Sequence, residues 1–213
     1  TGAPLTIMIP NTDTRSRDYT SNILRPSHAD FTAYKKYDGY QDYRGGGHFS
    51  GRITTPIVIL GAICSQILEE KGVYIGSHIN SIKNEKDLDF SVVTPDINLI
   101  KTLQQSDFPT LSEDKVELFK NIIIDAKNNL DSVGGTVETA IVGLNPGYGN
   151  PFFDSIESVL SHLLFSIPAI KGVEFGKGSE ITNLFGSVAN DSCIMENGYI
   201  KTSTNNSGGI QGG

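Results

Sequence analysis

The chain is poor in cysteine. It has two, Cys64 and Cys193, in 213 residues. Two do not make a disulfide framework, and their separation is not that of a metal site, so no metal is expected. A reducing, cytoplasmic setting is the default for such a chain. Net positive charge is missing as well: 17 Lys and Arg face 24 Asp and Glu, which leaves −7. That balance argues against a general nucleic-acid binder. No unbroken apolar run approaches the roughly 18 residues of a membrane span. No secretory signal pattern opens the chain. No internal repeat and no linker divides it. What is present is a globular composition, with 38% hydrophobic and 19% charged residues. The expectation is one domain over residues 1–213.

The charge is unevenly distributed. All five arginines fall between Arg15 and Arg52. Residues 1–52 carry +2, and residues 53–213 carry −9 with lysine as their only cation. Arginine holds carboxylate and phosphate through a rigid fork of donors. The clustering therefore points to an anionic ligand, or else to an ordinary solvated surface. Both ends are also unusual. The chain opens on Thr1 and stops inside a glycine-rich run, which reads as a piece of a longer protein.

Periodicity gives the elements. Residues 4–9 are apolar and end at Pro10, as a strand does. Residues 10–55 show no sustained period, and so long a loop in a compact domain is usually functional. Residues 55–71 read as a helix, with Thr55 as N-cap, Pro56 at the first position and Gly72 as the stop. It is apolar on most sides, so burial is expected, with Cys64 in the core. Residues 73–79 read as a strand. Residues 80–110 are a polar insertion with one short strand near Phe90. Residues 112–130 are a second helix, opened by a Thr110–Glu113 capping box. Residues 136–143 alternate like a strand, and 151–165 form a third helix. Further strands are expected at 169–175 and 184–189. His78 and His162 read as structural or surface residues. The class is α+β.

Three segments carry chemistry-bearing residues. Arg25-Pro26-Ser27-His28-Ala29-Asp30 places a titratable imidazole beside a guanidinium and a carboxylate. It also reads as a loop histidine with a hydrogen-bonded Asp. Arg44-Gly45-Gly46-Gly47-His48-Phe49-Ser50-Gly51-Arg52 offers glycine backbone flanked by arginine, fit for an anion nest or for a flexible turn. It is neither a nucleotide phosphate loop, having no lysine after the glycines, nor a dinucleotide fingerprint. Residues 205–213, Asn-Asn-Ser-Gly-Gly-Ile-Gln-Gly-Gly, offer donors, acceptors and room for a flat ligand, or form a flexible tail. Five of the eight tyrosines fall between Tyr19 and Tyr43. They line a pocket, a minor core or a subunit contact.

The ordered motifs RPSHADFTAYKKYDGYQDYRGGGHFSGRIT, SIPAIKGVEFG and NNSGGIQGG resemble the chorismate synthase family over nearly the whole chain. The resemblance implies helices sandwiched between two antiparallel four-stranded β-sheets, usually in a homotetramer. It implies a lyase acting on 5-enolpyruvylshikimate 3-phosphate. An anti 1,4-elimination of phosphate gives chorismate, in the shikimate pathway of aromatic amino acid biosynthesis. Reduced FMN is required without net redox change, and NADP enters where a member reduces its own flavin. A substrate with one phosphate and two carboxylates gives the arginine cluster a physical reason.

Residue by residue, the resemblance makes His28 the general acid beside the departing phosphate. It makes Arg25 and Arg52 the binders of substrate anions. His48, Phe49 and Ser50 occupy the FMN-contacting stretch, where many relatives carry Arg-Ser-Ser. A guanidinium contact at His48 is therefore lost. Pro168 and Ala169 form another flavin-contacting pair, and Gly212 a flavin-contacting glycine. Ser27 stands where glycine is usual. Family members extend further at both ends, and those parts supply another catalytic histidine, further substrate arginines and a Lys-Pro-Thr-Ser-Ser motif. The chain alone is expected to turn over little. The contrasting readings are a non-catalytic anion- or flavin-binding module and a structural oligomerisation core.

Overall fold

Alternating residues at 74–82 and 135–142 give paired strands, and stripes of apolar residues at a period near 3.6 give the helices. The computed structural model describes residues 2–213. The helices are α1 (Asp30–Lys36), α2 (Thr54–Glu69), α3 (Ile97–Gln105), α4 (Glu113–Asn128), α5 (Ile156–Leu164) and α6 (Gly186–Ala189). The strands are β1 (Tyr74–Ile82), β2 (Glu85–Lys86), β3 (Gly135–Val142), β4 (Cys193–Glu196) and β5 (Tyr199–Thr202). Every strand pair is antiparallel, and the class is α+β. The described residues form one three-stranded sheet, in the order β2-β1-β3, and one two-stranded hairpin, β4-β5. The four-stranded sheets of the family pattern are not completed by them.

The chain gathers into two compact units. One comprises residues 1–62 with 149–213, and the other residues 63–148. The second unit holds most of the core. Val73, Ile100, Leu103 and Phe119 are its buried apolar side chains. Helix α3 lies on β1, and Ile100 sits where a Cβ on Gly76 would come within 2.9 Å. Among the described residues the first unit buries one apolar side chain, Ala33. Phe152, Phe153 and Phe185 of that unit stand open.

Several elements differ from the sequence expectation. Residues 4–9 pair with no strand among the described residues and stay exposed, so β propensity there finds no partner. Helix α2 forms, but it starts at Thr54 directly after a 3₁₀ turn over Gly51–Ile53, so Thr55 lies inside it rather than capping it and Pro56 is third in the first turn, where the missing N–H has no acceptor within α2. It is not buried: Val58 is 68% and Leu60 is 56% exposed. Cys64 is exposed rather than core. No neighbouring element packs closely over α2 among the described residues. The span Gly51–Glu69 is long and apolar enough by composition to cross a membrane, with mean hydropathy 1.4 and none of it buried. Polar Thr54, Thr55 and Gln66 interrupt it, which is why no unbroken apolar run appears in the sequence.

The expected strand near Phe90 is a turn, and the insertion instead contains α3. Asp96 caps that helix by accepting a hydrogen bond from Leu99 N at 2.8 Å. The Thr110–Glu113 capping box does not form. Ser112 is the N-cap with no side-chain bond, and Asp87 accepts from the backbone of Leu111 and Ser112 instead. The third helix starts at Ile156, capped by Ser155, rather than at residue 151. The strands expected at 169–175 and 184–189 are absent. Gly172 and Gly176 weaken the first, and α6 replaces the second.

The sheet unit is tied by a buried polar group. His78 on β1 is fully buried and lies opposite Glu138 on β3. Its Nε2 is 2.9 Å from Glu138 Oε2. Its Nδ1 lies 3.5 Å from Asp87 Oδ2, too poorly aligned to be a hydrogen bond. Glu138 also accepts from Phe90 N at 2.8 Å, and the Phe90 ring meets the imidazole edge-on at 4.9 Å. Asp87 receives Leu111 and Ser112 at the head of α4. His78 thus joins β1, β3 and the 87–90 loop, and its role is structural. Substituting His78→Ala removes a buried partner of Glu138 and opens a void in the sheet unit. It is expected to lower unfolding free energy by about 3 kcal/mol. Urea denaturation checks this: the midpoint falls with an unchanged slope, and an unchanged midpoint refutes it.

Candidate functional site

The residues singled out in the arginine-bearing segment are arranged by two tight loops and the short helix between them. In the first loop Asp30 opens α1, and its carboxylate reaches back to Arg25. It accepts from Arg25 N at 2.8 Å, Nε at 3.0 Å and Nη2 at 2.7 Å. This bidentate pair fixes the guanidinium plane, and the Tyr19 ring lies 5.5 Å beneath it. Among the described residues Nη1 donates to no protein group, which leaves it available to a ligand. The Arg25 hydrogen bonds hold the Asp30 carboxyl down to about 2, below the ordinary carboxylate value. Asp30 in turn raises the Arg25 guanidinium, chiefly through their hydrogen bond.

The loop closed by this pair presents His28. Ser27 takes a left-handed φ of 59°, the region where glycine is unstrained, which is a physical reason for glycine being usual there. His28 is exposed, and its Nδ1 lies 2.9 Å from the carbonyl of Pro26. A carbonyl only accepts, so this contact requires the proton on Nδ1. The Nε2 atom then faces outward and is the one that can exchange a proton with a ligand.

The second loop follows from its glycines. Gly45, Gly46 and Gly47 have φ of 66°, 80° and 51°. Their three N–H groups donate to no other group among the described residues. Arg52 lies against them, with Nη2 donating to Gly45 O at 3.0 Å. A Cβ on Gly45 would stand 2.6 Å from that nitrogen, a contact the flexible Arg52 side chain can relieve, so it is the left-handed φ that favours glycine there. Ser50 turns the chain by accepting from Arg52 N at 3.3 Å. His48 stacks on Phe49 with ring centroids 4.2 Å apart, and its Nε2 lies 3.1 Å from Tyr37 Oη. Tyr37 is the C-cap of α1, so this contact joins the two loops. Tyr37, Gln41, Gly46, Gly47, His48 and Phe49 line most of a recess of about 240 Å³. That is smaller than a pocket enclosing a cofactor, so these residues form one wall. The Gln41 Oε1 atom is buried there without a partner. A larger hollow, about 420 Å³, is made by five consecutive residues, 14–18, and is an open turn rather than a site.

The other predicted residues lie apart from this cluster in the bonding network. Pro168 and Ala169 are exposed, and Ala169 holds a φ of 70°. Gly212 is exposed with a φ of 86°. Among the described residues no hydrogen bond joins these three to the arginine loops. Arg44 is not turned to the glycines. Asp42 takes its Nε and Nη2 at 2.9 and 3.2 Å. His162 is exposed on α5, and no cluster that could hold a metal ion occurs among the described residues. Tyr37 was missed from the sequence. It lies in a tyrosine-rich stretch, but nothing in spacing pairs it with His48.

The family model for chorismate synthase matches residues 1–213. The chain belongs to the chorismate synthase family. A chorismate synthase from Chitinophaga pinensis is 42% identical over 215 residues, covering all of this chain and 54% of the relative. That of Thermococcus gammatolerans is 40% identical over 215 residues, covering all of this chain and 58% of the relative. That of Lancefieldella parvula is 36% identical over 224 residues, covering all of this chain and 59% of the relative. A crystal structure of a chorismate synthase superposes with a TM-score of 0.74 at 29% identity, over 87% of this chain and 58% of that one. The chain therefore spans a little over half the length of the chorismate synthases it matches.

Because the Asp30 carboxyl is held to about 2, its pairing with Arg25 contributes above the unfolded value near 4 and is lost as pH falls toward 2. Carboxyl-carbon NMR is expected to show Asp30 ionised at pH 3, when exposed aspartates are mostly protonated. Titration of Asp30 together with the exposed aspartates refutes the pairing.

Proposed function

We propose that this chain is the part of a chorismate synthase that grips the substrate's anions and one side of its flavin. The reaction is the anti 1,4-elimination of phosphate from 5-enolpyruvylshikimate 3-phosphate, a carbon–oxygen lyase step. What carries the reading is the joint arrangement of unmatched donors. Arg25 Nη1 and three consecutive glycine N–H groups donate to no other group among the described residues, and Arg52 is held beside those glycines by its bond to Gly45 O, in loops that also match the family motif.

Guanidinium groups held by Asp30 and by Gly45 need little reorganisation when an anion arrives. As the carbon–oxygen bond breaks, negative charge accumulates on the departing phosphate, and fixed donors stabilise it most at that moment. His28, with Nδ1 held by Pro26, donates a proton from Nε2 in its cationic form. That places the proton on the leaving phosphate while the imidazole keeps its orientation.

Reduced FMN, when bound, supplies electron density to the reacting system and takes it back, so no net redox change results. Its fit is supported by the ring pair of His48 and Phe49 and by the unpartnered glycine N–H groups. A flat, anionic molecule needs both a stacking surface and phosphate donors. Ser50, Pro168, Ala169 and Gly212 would complete the contacts. A homotetramer of the full-length protein is the arrangement we propose for covering apolar faces such as that of α2. Cytoplasmic location and independence of nucleic acid and membrane belong to the same proposal.

In a full-length protein containing this chain, His28→Ala is expected to lower kcat about 10²- to 10³-fold with little change in KM. Arg52→Ala is expected to raise KM about tenfold or more. Steady-state kinetics with reduced FMN reads both, and if neither variant changes either constant the site assignment falls. The 213-residue chain by itself is expected to show on the order of a hundredth of full-length turnover or less, because positioning is incomplete. Full-length rates from the isolated chain contradict this.

A further inference from the structure

The segment 205–213 is held from its start by one side chain that no motif singles out. Asp191, half-buried between α6 and β4, accepts from Asn206 N at 2.8 Å and Thr204 Oγ1 at 2.6 Å through Oδ1. Its Oδ2 accepts from Ser207 N at 2.9 Å. Asn206, itself buried, donates its side-chain amide to the carbonyls of Val188 and Ala189 at 3.2 and 3.0 Å. The Asn206 carbonyl takes Lys177 N at 2.8 Å. A Cβ on Gly208 would stand 2.6 Å from Gly176 N, so the loop is seated directly on the 176 turn. At the other end, a Cβ on Gly213 would meet Ser155 Cβ at 2.9 Å. Between these anchors lie Gly208, Gly209 and Gly212, all with left-handed φ. A chain so rich in glycine has no intrinsic preference for one path. Its path is set by what takes its N–H groups.

We propose that Asp191 is the positioning residue of this loop, fixing the backbone of Asn206 and Ser207 so that Gly212 is presented to the flavin. The inference rests on the reading above that Gly212 touches the flavin. Asp191 itself touches no reacting group. Both carboxylate oxygens are required, because the two backbone N–H groups point to different ones. An isosteric Asn has one oxygen and must set its NH₂ against the other N–H, donor against donor. Burial pushes the Asp191 carboxyl up, but the bonds from Thr204, Ser207 and Asn206 together outweigh it and hold it below the usual range. The acceptor is therefore charged at neutral pH, the stronger form for holding N–H groups.

The test uses full-length protein carrying Asp191→Asn and, separately, Asp191→Glu. Amide hydrogen exchange and quenching of FMN fluorescence are measured on each. In Asp191→Asn, exchange at Asn206, Ser207 and the following glycines is expected to quicken about tenfold or more. Strands β1 and β3 keep their protection and report that the protein is folded. FMN affinity is expected to fall about tenfold. Asp191→Glu, which keeps the charge and both oxygens, is expected to restore part of each. Unchanged exchange in Asp191→Asn overturns the proposal, as does Glu behaving no better than Asn. Faster exchange with unchanged FMN affinity leaves the loop anchored by Asp191 and overturns instead the assignment of Gly212 to the flavin.

Discussion

The bidentate pair between Arg25 and Asp30 is the interaction on which the arginine-bearing segment depends. It closes the turn that presents His28, and it starts α1. That helix ends at Tyr37, whose hydroxyl meets His48, and His48 heads the short turn that follows the triple glycine. Arg52 then closes back on Gly45. Five short contacts in series thus run from one guanidinium to the other. None is buried in an apolar core, and each is individually modest. Their joint effect is to fix the orientation of both guanidinium groups.

Fixing that orientation locally is necessary because the unit carrying the site has almost no core of its own. Among the described residues Ala33 is its one buried apolar residue, while α2 and α5 hold Val58, Leu60, Val159 and Leu163 open to solvent. A chain that spans little more than half of its relatives has this surface to place against something else. The sheet unit is different. It buries Ile100, Leu103 and Phe119, and it spends its one buried histidine on tying three segments together.

The sequence made α2, β1, α4 and β3 legible because their apolar periods are long and their stops are marked by glycine. It made the site residues legible through motifs rather than through periodicity. Helix α3 went unread although Asp96 is a sound N-cap, since nine residues in a polar stretch give too short a period. The β4–β5 hairpin was also overlooked. Its signal was Asn197-Gly198, both with positive φ, the turn that fits a two-residue hairpin. Residues 4–9 show the opposite error, where strand-like composition meets no partner. The exposure of α2 was not legible at all, because an apolar helix announces that it needs cover without saying where the cover comes from. Tyr37 against His48 and Asp191 under the glycine loop are contacts between residues 11 and 15–16 positions apart in loops, where no period applies.

The central claim is that the glycine N–H groups at 45–47, which donate to no other group among the described residues, are a binding wall. Glycine-selective ¹⁵N labelling of the full-length protein tests it directly, by following those three amide signals as FMN is added to saturation. The account predicts that Gly45, Gly46 and Gly47 shift together with the binding curve. FMN binding at full occupancy with all three signals unmoved would contradict it.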